Sequence, residues 1–122
     1  MGSDRCAEVN MLTRIRKGDD FTVADISGNL DAYDAPNFCG EILTHINEQM
    51  PTLILNMSQV TFLDSTGLAI LIKLQRQCEV NGGGLVLVSL PDVVRTILEI
   101  THLDSVFHMA DSVQVAVDIL RQ

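Results

Sequence analysis

The residues Asp64-Ser65-Thr66-Gly67 interrupt an apolar run in "VTFLDSTGLAIL", Val60 to Leu71. Their types allow two kinds of chemistry. Asp, Ser and Thr are preferred helix N-caps, and each can accept a hydrogen bond from a free amide of the first turn, while Gly67 lets the backbone turn closely. A helix entrance also presents unpaired amides and a partial positive charge, so it can carry a phosphate on Ser65 or Thr66 without unfolding. A phosphoryl group adds roughly −1.5 to −2 charges. The neighbouring Asp64 opposes that charge and the helix end offsets part of it. A partner docking over the site would have to bury the dianion, so such a modification would switch association rather than folding.

Other reactive groups fall into no comparable pattern. A nucleophilic serine needs a base within hydrogen-bond reach, yet His45, His102 and His108 sit in unrelated segments and Ser65 is not in a G-x-S-x-G elbow. His102 and Asp104 in "THLDSVF" read as a helix-terminal turn rather than an acid–base pair. "NGGGL", from Asn81, follows a helical segment and precedes no Lys-Ser/Thr, so it is not a phosphate-binding loop. The carboxylates and imidazoles show no metal-ligand spacing, and no metal or cofactor is expected. Cys6, Cys39 and Cys78 form no CxxC pair and read as free thiols of a reducing compartment.

The elements that must position Ser65 follow from periodicity. "VNMLTRIRK" (Val9 to Lys17) alternates partly and suits an edge strand, and "KGDD" turns the chain into an antiparallel neighbour, Phe21 to Gly28, with Phe21, Val23 and Ile26 inward. Gly28-Asn29 is a turn signal that ends this strand. Ala35, Phe38, Cys39, Ile42, Leu43 and Ile46 make a helical stripe. Pro36 places that helix's start near Asp34 or Ala35, and Pro51 ends it at Gln49 or Met50. "TLILNM" (Thr52 to Met57) is a strand buried on both faces. Ser58 to Leu63 leads into a second helix, about Ser65 to Asn81, with Leu68, Leu71, Ile72, Leu74 and Cys78 on its apolar arc. Leu85 to Leu90 is a further buried strand. Pro91 opens a third helix, packing Val94, Ile97, Leu98 and Leu103 inward. Val106 to Ala110 is a last strand, and Asp111 or Ser112 caps a last helix with Val113, Val117 and Leu120 at helical spacing.

The order is β-β-α-β-α-β-α-β-α. The strand–helix–strand units beginning at Thr52 and Leu85 demand parallel neighbours. The fold class is α/β, with a mixed β-sheet of about five strands packed with about four α-helices in a single domain. Ile70 lies off the apolar arc of the second helix. It is expected to be partly exposed beside Ser65 and to touch a partner, the alternative being contact with a neighbouring helix.

The totals agree with one globular domain. The chain has 122 residues, 47% hydrophobic and 20% charged, with no Trp, one Tyr and four Phe, so its core is aliphatic. Its net charge of −8 opposes binding to nucleic acid or an anionic membrane and leaves room for a basic partner surface. "MGSDRCAEVN" lacks the apolar core of a secretion signal, and Cys6 stands where a myristoylation site carries Ser or Thr. The longest apolar stretch, Leu68 to Ile72, is far short of a membrane span. These features describe a cytoplasmic domain without membrane insertion. Residues 1–8 are expected to be a flexible extension and 9–121 the domain.

"LILNMSQVTFLDSTGLAILIKL" resembles the signature of STAS-domain anti-anti-sigma factors, also called anti-sigma factor antagonists. "SGNLDAYDAPNF" is similar to the family's glycine-x-leucine-aspartate segment, and "GGGLVLVSLPDVVRTILEITHLDSVFHMADS" to its C-terminal half. The resemblance runs from Val9 to Arg121. It implies a STAS-like fold and a non-enzymatic regulator of transcription. Unphosphorylated members of the family bind an anti-sigma factor that is itself a serine/threonine kinase and thereby release the sigma factor. Phosphorylation ends the complex, and a protein serine phosphatase restores it. Carried onto this chain, the acceptor is Ser65, with Thr66 a second hydroxyl. The implied partner-binding residues are Asp31, Asp64, Ser65, Thr66, Gly67 and Leu68, to which the position off the apolar arc adds Ile70. Ala69 replaces a second glycine found in many relatives, and Asn29 replaces a charged residue. The same resemblance leaves open a STAS subunit of a transport complex or of a stress-signalling scaffold. A small hydrolase using Ser65 is the enzymatic alternative.

Overall fold

The computed structural model describes residues 11–120, so the expected extension 1–8, Cys6 and the first residues of the expected opening strand lie outside it. The described elements are β1 (Leu12–Lys17), β2 (Phe21–Leu30), α1 (Ala35–Leu43), β3 (Thr52–Leu63), α2 (Ser65–Val80), β4 (Leu85–Val88), α3 (Asp92–Ile100), β5 (His108–Ala110) and α4 (Val113–Leu120). Their order is the expected one. The sheet runs β1-β2-β3-β4-β5, with β1 antiparallel to β2 and every later pair parallel.

Alternation of side chains divides the core into two layers. Leu53, Leu55, Leu85 and Leu87 face one side, where they pack with Phe38 and Ile42 of α1, Leu71 and Leu74 of α2, and Val94 and Leu98 of α3. Ile54, Val86 and Val88 face the other side and pack with Ala116 of α4. Beyond the cover of that helix the same side turns polar. Arg16 pairs with Asp25 at 2.9 Å, and the Asn56 amide donates to the same Asp25 oxygen at 3.1 Å.

Several boundaries differ from the sequence reading. β2 does not stop at Gly28-Asn29 but continues to Leu30. Gly28 adopts φ +96°, where a glycine meets no steric penalty, at a break in the β2–β3 register. β3 runs on to Leu63 through two such breaks, one opposite Asp25/Ser27 and one opposite Gly28/Asn29. Each inserts a residue, so Met57, Val60 and Leu63 are buried at intervals of three instead of two. That spacing hides a strand from a period-two reading. α1 ends at Leu43, short of Gln49, because Asn47 organises a turn by accepting from the amides of Gln49 and Met50, each at 2.9 Å. Ile46 remains buried without belonging to the helix. β4 ends at Val88 rather than Leu90, and Ser89 beyond it has φ 57°. β5 begins only at His108. On α4, Val113 and Val117 pack against the core as expected, while Leu120 is exposed.

Candidate functional site

The site lies where β2 and β3 end side by side. Leu30 and Leu63, the last residues of these parallel strands, are register partners. Asp31 and Asp64 therefore leave the same carboxyl edge of the sheet together. The Asp64 amide donates to the Leu30 carbonyl at 3.2 Å. Gly67 packs against the same carbonyl so closely that a Cβ there would sit 2.3 Å from the oxygen. One peptide group of β2 is thus held by both the N-cap and the first turn of α2.

Asp64 is the N-cap. Its backbone is extended, with φ −109° and ψ −171°, and its carboxylate accepts from the Gly67 amide at 3.0 Å. The Asp64 carbonyl accepts from Leu68 N–H at 2.9 Å. Because Asp64 does the capping, Ser65 does not. Ser65 opens the helix exposed to solvent, and its hydroxyl has no hydrogen-bond partner among the described residues. Thr66 is half-buried, so Ser65 is the more accessible of the two hydroxyls. The amides of Ser65 and Thr66 point out of the helix start without a protein acceptor among the described residues, which leaves the anion-tolerant character of a helix N-terminus intact.

Asp31 has a backbone role that sequence reasoning did not anticipate. Its Oδ1 accepts from the amides of Tyr33 and Asp34 at 3.0 and 3.1 Å, turning the chain from β2 into α1. Tyr33 in that turn is 90% exposed, and Phe62, beside Leu63, is 46% exposed. Nothing in the local sequence marks Tyr33 for the surface. Phe62 could have been found only by placing both bulges of β3.

Ile70 requires a correction. It is 9% exposed and belongs to the core that also contains Phe38, Cys39 and Ile42. It is therefore an interior residue and not a surface contact. Gly67, Ile70, Leu71, Leu74 and Cys78 form the buried stripe at intervals of three and four, which moves Leu68 and Ile72 to its half-buried flank. The apolar arc drawn from Leu68 and Ile72 was centred too far round the helix because the small Gly67 marked the contact face. Of the implied partner residues, Asp31, Asp64, Ser65, Thr66 and Leu68 are at least partly accessible, whereas Gly67 and Ile70 face inward.

No described hydrogen bond joins a histidine to Ser65. His45 follows α1, His102 follows α3, and His108 lines a cavity of about 470 Å³ with Gly82, Gly83 and Gly84 at the sheet's opposite, amino edge. Burial raises the thiol pKa of Cys39 and pushes that of Cys78 up to about 11, so neither is a ready nucleophile. Among the described residues, no group of three His, Cys, Asp or Glu side chains is placed to hold a metal ion, and no helix is long and apolar enough to cross a membrane.

Residues 12–116 match the family model described as STAS domain. The anti-sigma-B factor antagonist of Staphylococcus aureus (strain NCTC 8325 / PS 47) is 26% identical over 98 residues, which span 80% of this chain and 90% of that protein. The structure of an anti-sigma factor antagonist from Mycobacterium paratuberculosis superposes with a TM-score of 0.75 at 26% identity, covering 90% of this chain and 93% of that one. The anti-sigma factor antagonist SpoIIAA is similar in its unphosphorylated form, with a TM-score of 0.74 at 23% identity over 88% of this chain and 95% of that one. Its phosphorylated form, described as a Bacillus cell fate determinant, gives 0.66 at 21% identity over 86% and 96%.

Proposed function

The chain belongs to the STAS domain family, and on that premise we propose that it acts as an anti-sigma factor antagonist in a partner switch controlling transcription. The observation that carries the reading is the exposed, uncapped Ser65 hydroxyl at the first position of α2. The similarity to anti-sigma factor antagonists over most of the chain supports it. In the unphosphorylated state the protein binds an anti-sigma factor with serine kinase activity and so frees the sigma factor. The kinase transfers the γ-phosphoryl group of ATP to Ser65 Oγ. A phosphorus–oxygen bond forms at the serine, the bond to the bridging oxygen breaks, ADP leaves, and the hydroxyl proton passes to a base or solvent. A protein serine phosphatase hydrolyses the ester and resets the switch. The chain is then a kinase substrate and not an enzyme, and it works in the cytoplasm, where ATP and the transcription machinery are.

The physical basis is that a phosphate at this helix start barely disturbs the fold. Asp64 already holds the Gly67 amide, and the free amides of the first turn offset part of the new charge. A docked partner would have to bury the dianion. A penalty of ~3 kcal/mol weakens association about a hundredfold. The test is incubation with candidate anti-sigma kinases and ATP, followed by mass-spectrometric mapping of the phosphate. Modification at Ser65 is expected, with Ser65→Ala still binding the kinase and Ser65→Asp losing about a hundredfold in affinity at unchanged thermal stability. Equal affinities for Ser65→Asp and the wild type would overturn the charge switch, and a phosphate on Thr66 alone would move the acceptor.

A further inference from the structure

The outer face of α2 carries a feature that the phosphorylation site does not account for. Successive residues turn by about 100°, so Ser65, Ala69, Ile72, Lys73 and Arg76 fall within one sector of the helix. Ser65, Ala69, Lys73 and Arg76 are exposed and Ile72 is half-buried. Ala69, Ile72, Lys73, Arg76 and Gln77 line an open groove of about 320 Å³. In a chain of net charge −8 its charged side chains are both cations. Neither has a carboxylate within ion-pair distance among the described residues. Like charges three residues apart on a helix repel, so the fold gains nothing from the pair.

We propose that this groove seats a segment of the anti-sigma factor that presents a carboxylate beside an apolar side chain. The carboxylate sits on Lys73 and Arg76, and the apolar group lies over Ala69 and Ile72. The proposal rests on the partner-switch reading and adds the chemistry of the partner segment. Lys73 lies ~12 Å of helix rise from Ser65 and Arg76 ~16 Å. These separations exceed the Debye length of ~8 Å at physiological salt, so a phosphate on Ser65 neutralises the two cations only weakly. A carboxylate held on Lys73 and Arg76 is screened from that phosphate to the same degree, so the groove contributes affinity while release on phosphorylation comes from burying the dianion under the docked partner. A positive segment would be repelled by Lys73 and Arg76, which excludes it as the occupant.

The test titrates the anti-sigma factor that binds the wild-type chain against two double variants of equal charge change. Lys73→Glu/Arg76→Glu alters the groove, and Arg14→Glu/Lys17→Glu alters exposed positions of β1. The groove variant is expected to weaken binding about tenfold or more at low salt, and less at high salt, while the β1 variant stays within about twofold. Lys73→Gln/Arg76→Gln, which adds no repulsion, is expected to lose affinity in the same direction, and thermal melts check that each variant is folded. The chain's lysines are Lys17 and Lys73. Zero-length carbodiimide crosslinking of the wild-type complex is therefore expected to join Lys73 to an Asp or Glu of the partner. Equal losses in the two charge-reversal variants, unchanged binding of the groove variants, or a crosslink through Lys17 alone would overturn the groove while leaving the partner switch standing. A wild-type chain that binds none of the anti-sigma kinases overturns the partner switch and the groove with it.

Discussion

Ser65 is free to react because Asp64 is not. Asp64 spends its carboxylate on the Gly67 amide and its own amide on the Leu30 carbonyl. The next residue along is left with an unengaged hydroxyl. Gly67 makes this arrangement possible by letting α2 approach β2 at backbone distance. The residue therefore discriminates between local and tertiary control. By helix propensity alone, Gly67→Ala should stabilise α2 by about 1 kcal/mol. The added Cβ, however, would meet the Leu30 oxygen at 2.3 Å and the Leu63 Cδ1 at 2.8 Å. A backbone carbonyl cannot swing aside as a flexible side chain can, so the clash is expected to win. Urea unfolding should show Gly67→Ala to be less stable than wild type by about 1–3 kcal/mol. A more stable variant would show that α2 can lift from β2 at no cost.

Elements that obey a single period were legible from the sequence, and those that change period were not. The existence and order of all the strands and helices in the described chain followed from apolar spacing and turn residues, and Pro36 and the Asp64-Ser65 break gave the starts of α1 at Ala35 and of α2 at Ser65. β3 was read at half its length because its two bulges convert alternation into intervals of three. α2 was found with the right ends but rotated about its axis, since a glycine in the contact face carries no hydrophobic signal. The rotation has a measurable consequence at Ile70. As a core residue, Ile70→Ala is expected to cost about 2–5 kcal/mol in denaturant unfolding. Ile72→Ala, on the half-buried flank, should cost less than Ile70→Ala, and the reverse order would restore the arc centred on Leu68 and Ile72.

At the scale of the molecule, chemistry is segregated. Three helices and one face of the sheet form the main core, and its thiols are silent. Desolvation raises the Cys78 pKa from 9.0 to about 11, and it raises Cys39 as well, with Lys73 opposing that shift. The sign of the linkage follows. Below 9.0 both native and unfolded chains keep the Cys78 proton, and stability is unaffected. Between 9.0 and about 11 the unfolded chain loses the proton while the native chain holds it, so stability falls as pH rises through that window. Urea unfolding across this range should show the decline, and Cys78→Ser should flatten it. An identical slope in Cys78→Ser would assign the alkaline loss to other groups. Outside the core, the Ser65 hydroxyl sits at the carboxyl edge of the sheet, and Lys73 and Arg76 lie farther along the same side of α2, within a chain of strong negative charge. Charge reversal and phosphorylation therefore act on the surface while leaving the packed interior alone.

The sequence by itself determined the α/β order, the helix entrance at Asp64-Ser65 and the family likeness, because each is written in residues adjacent in the chain or separated by one turn. Tertiary structure alone decided that Asp64, rather than Ser65, caps the helix, that Gly67 is pressed against Leu30, and that Ile70 is interior. Those outcomes depend on β2 and β3 ending in register, a contact between segments more than thirty residues apart in the chain. No local pattern encodes which of several suitable side chains will be taken up by such a contact, and so none encodes which is left free to react.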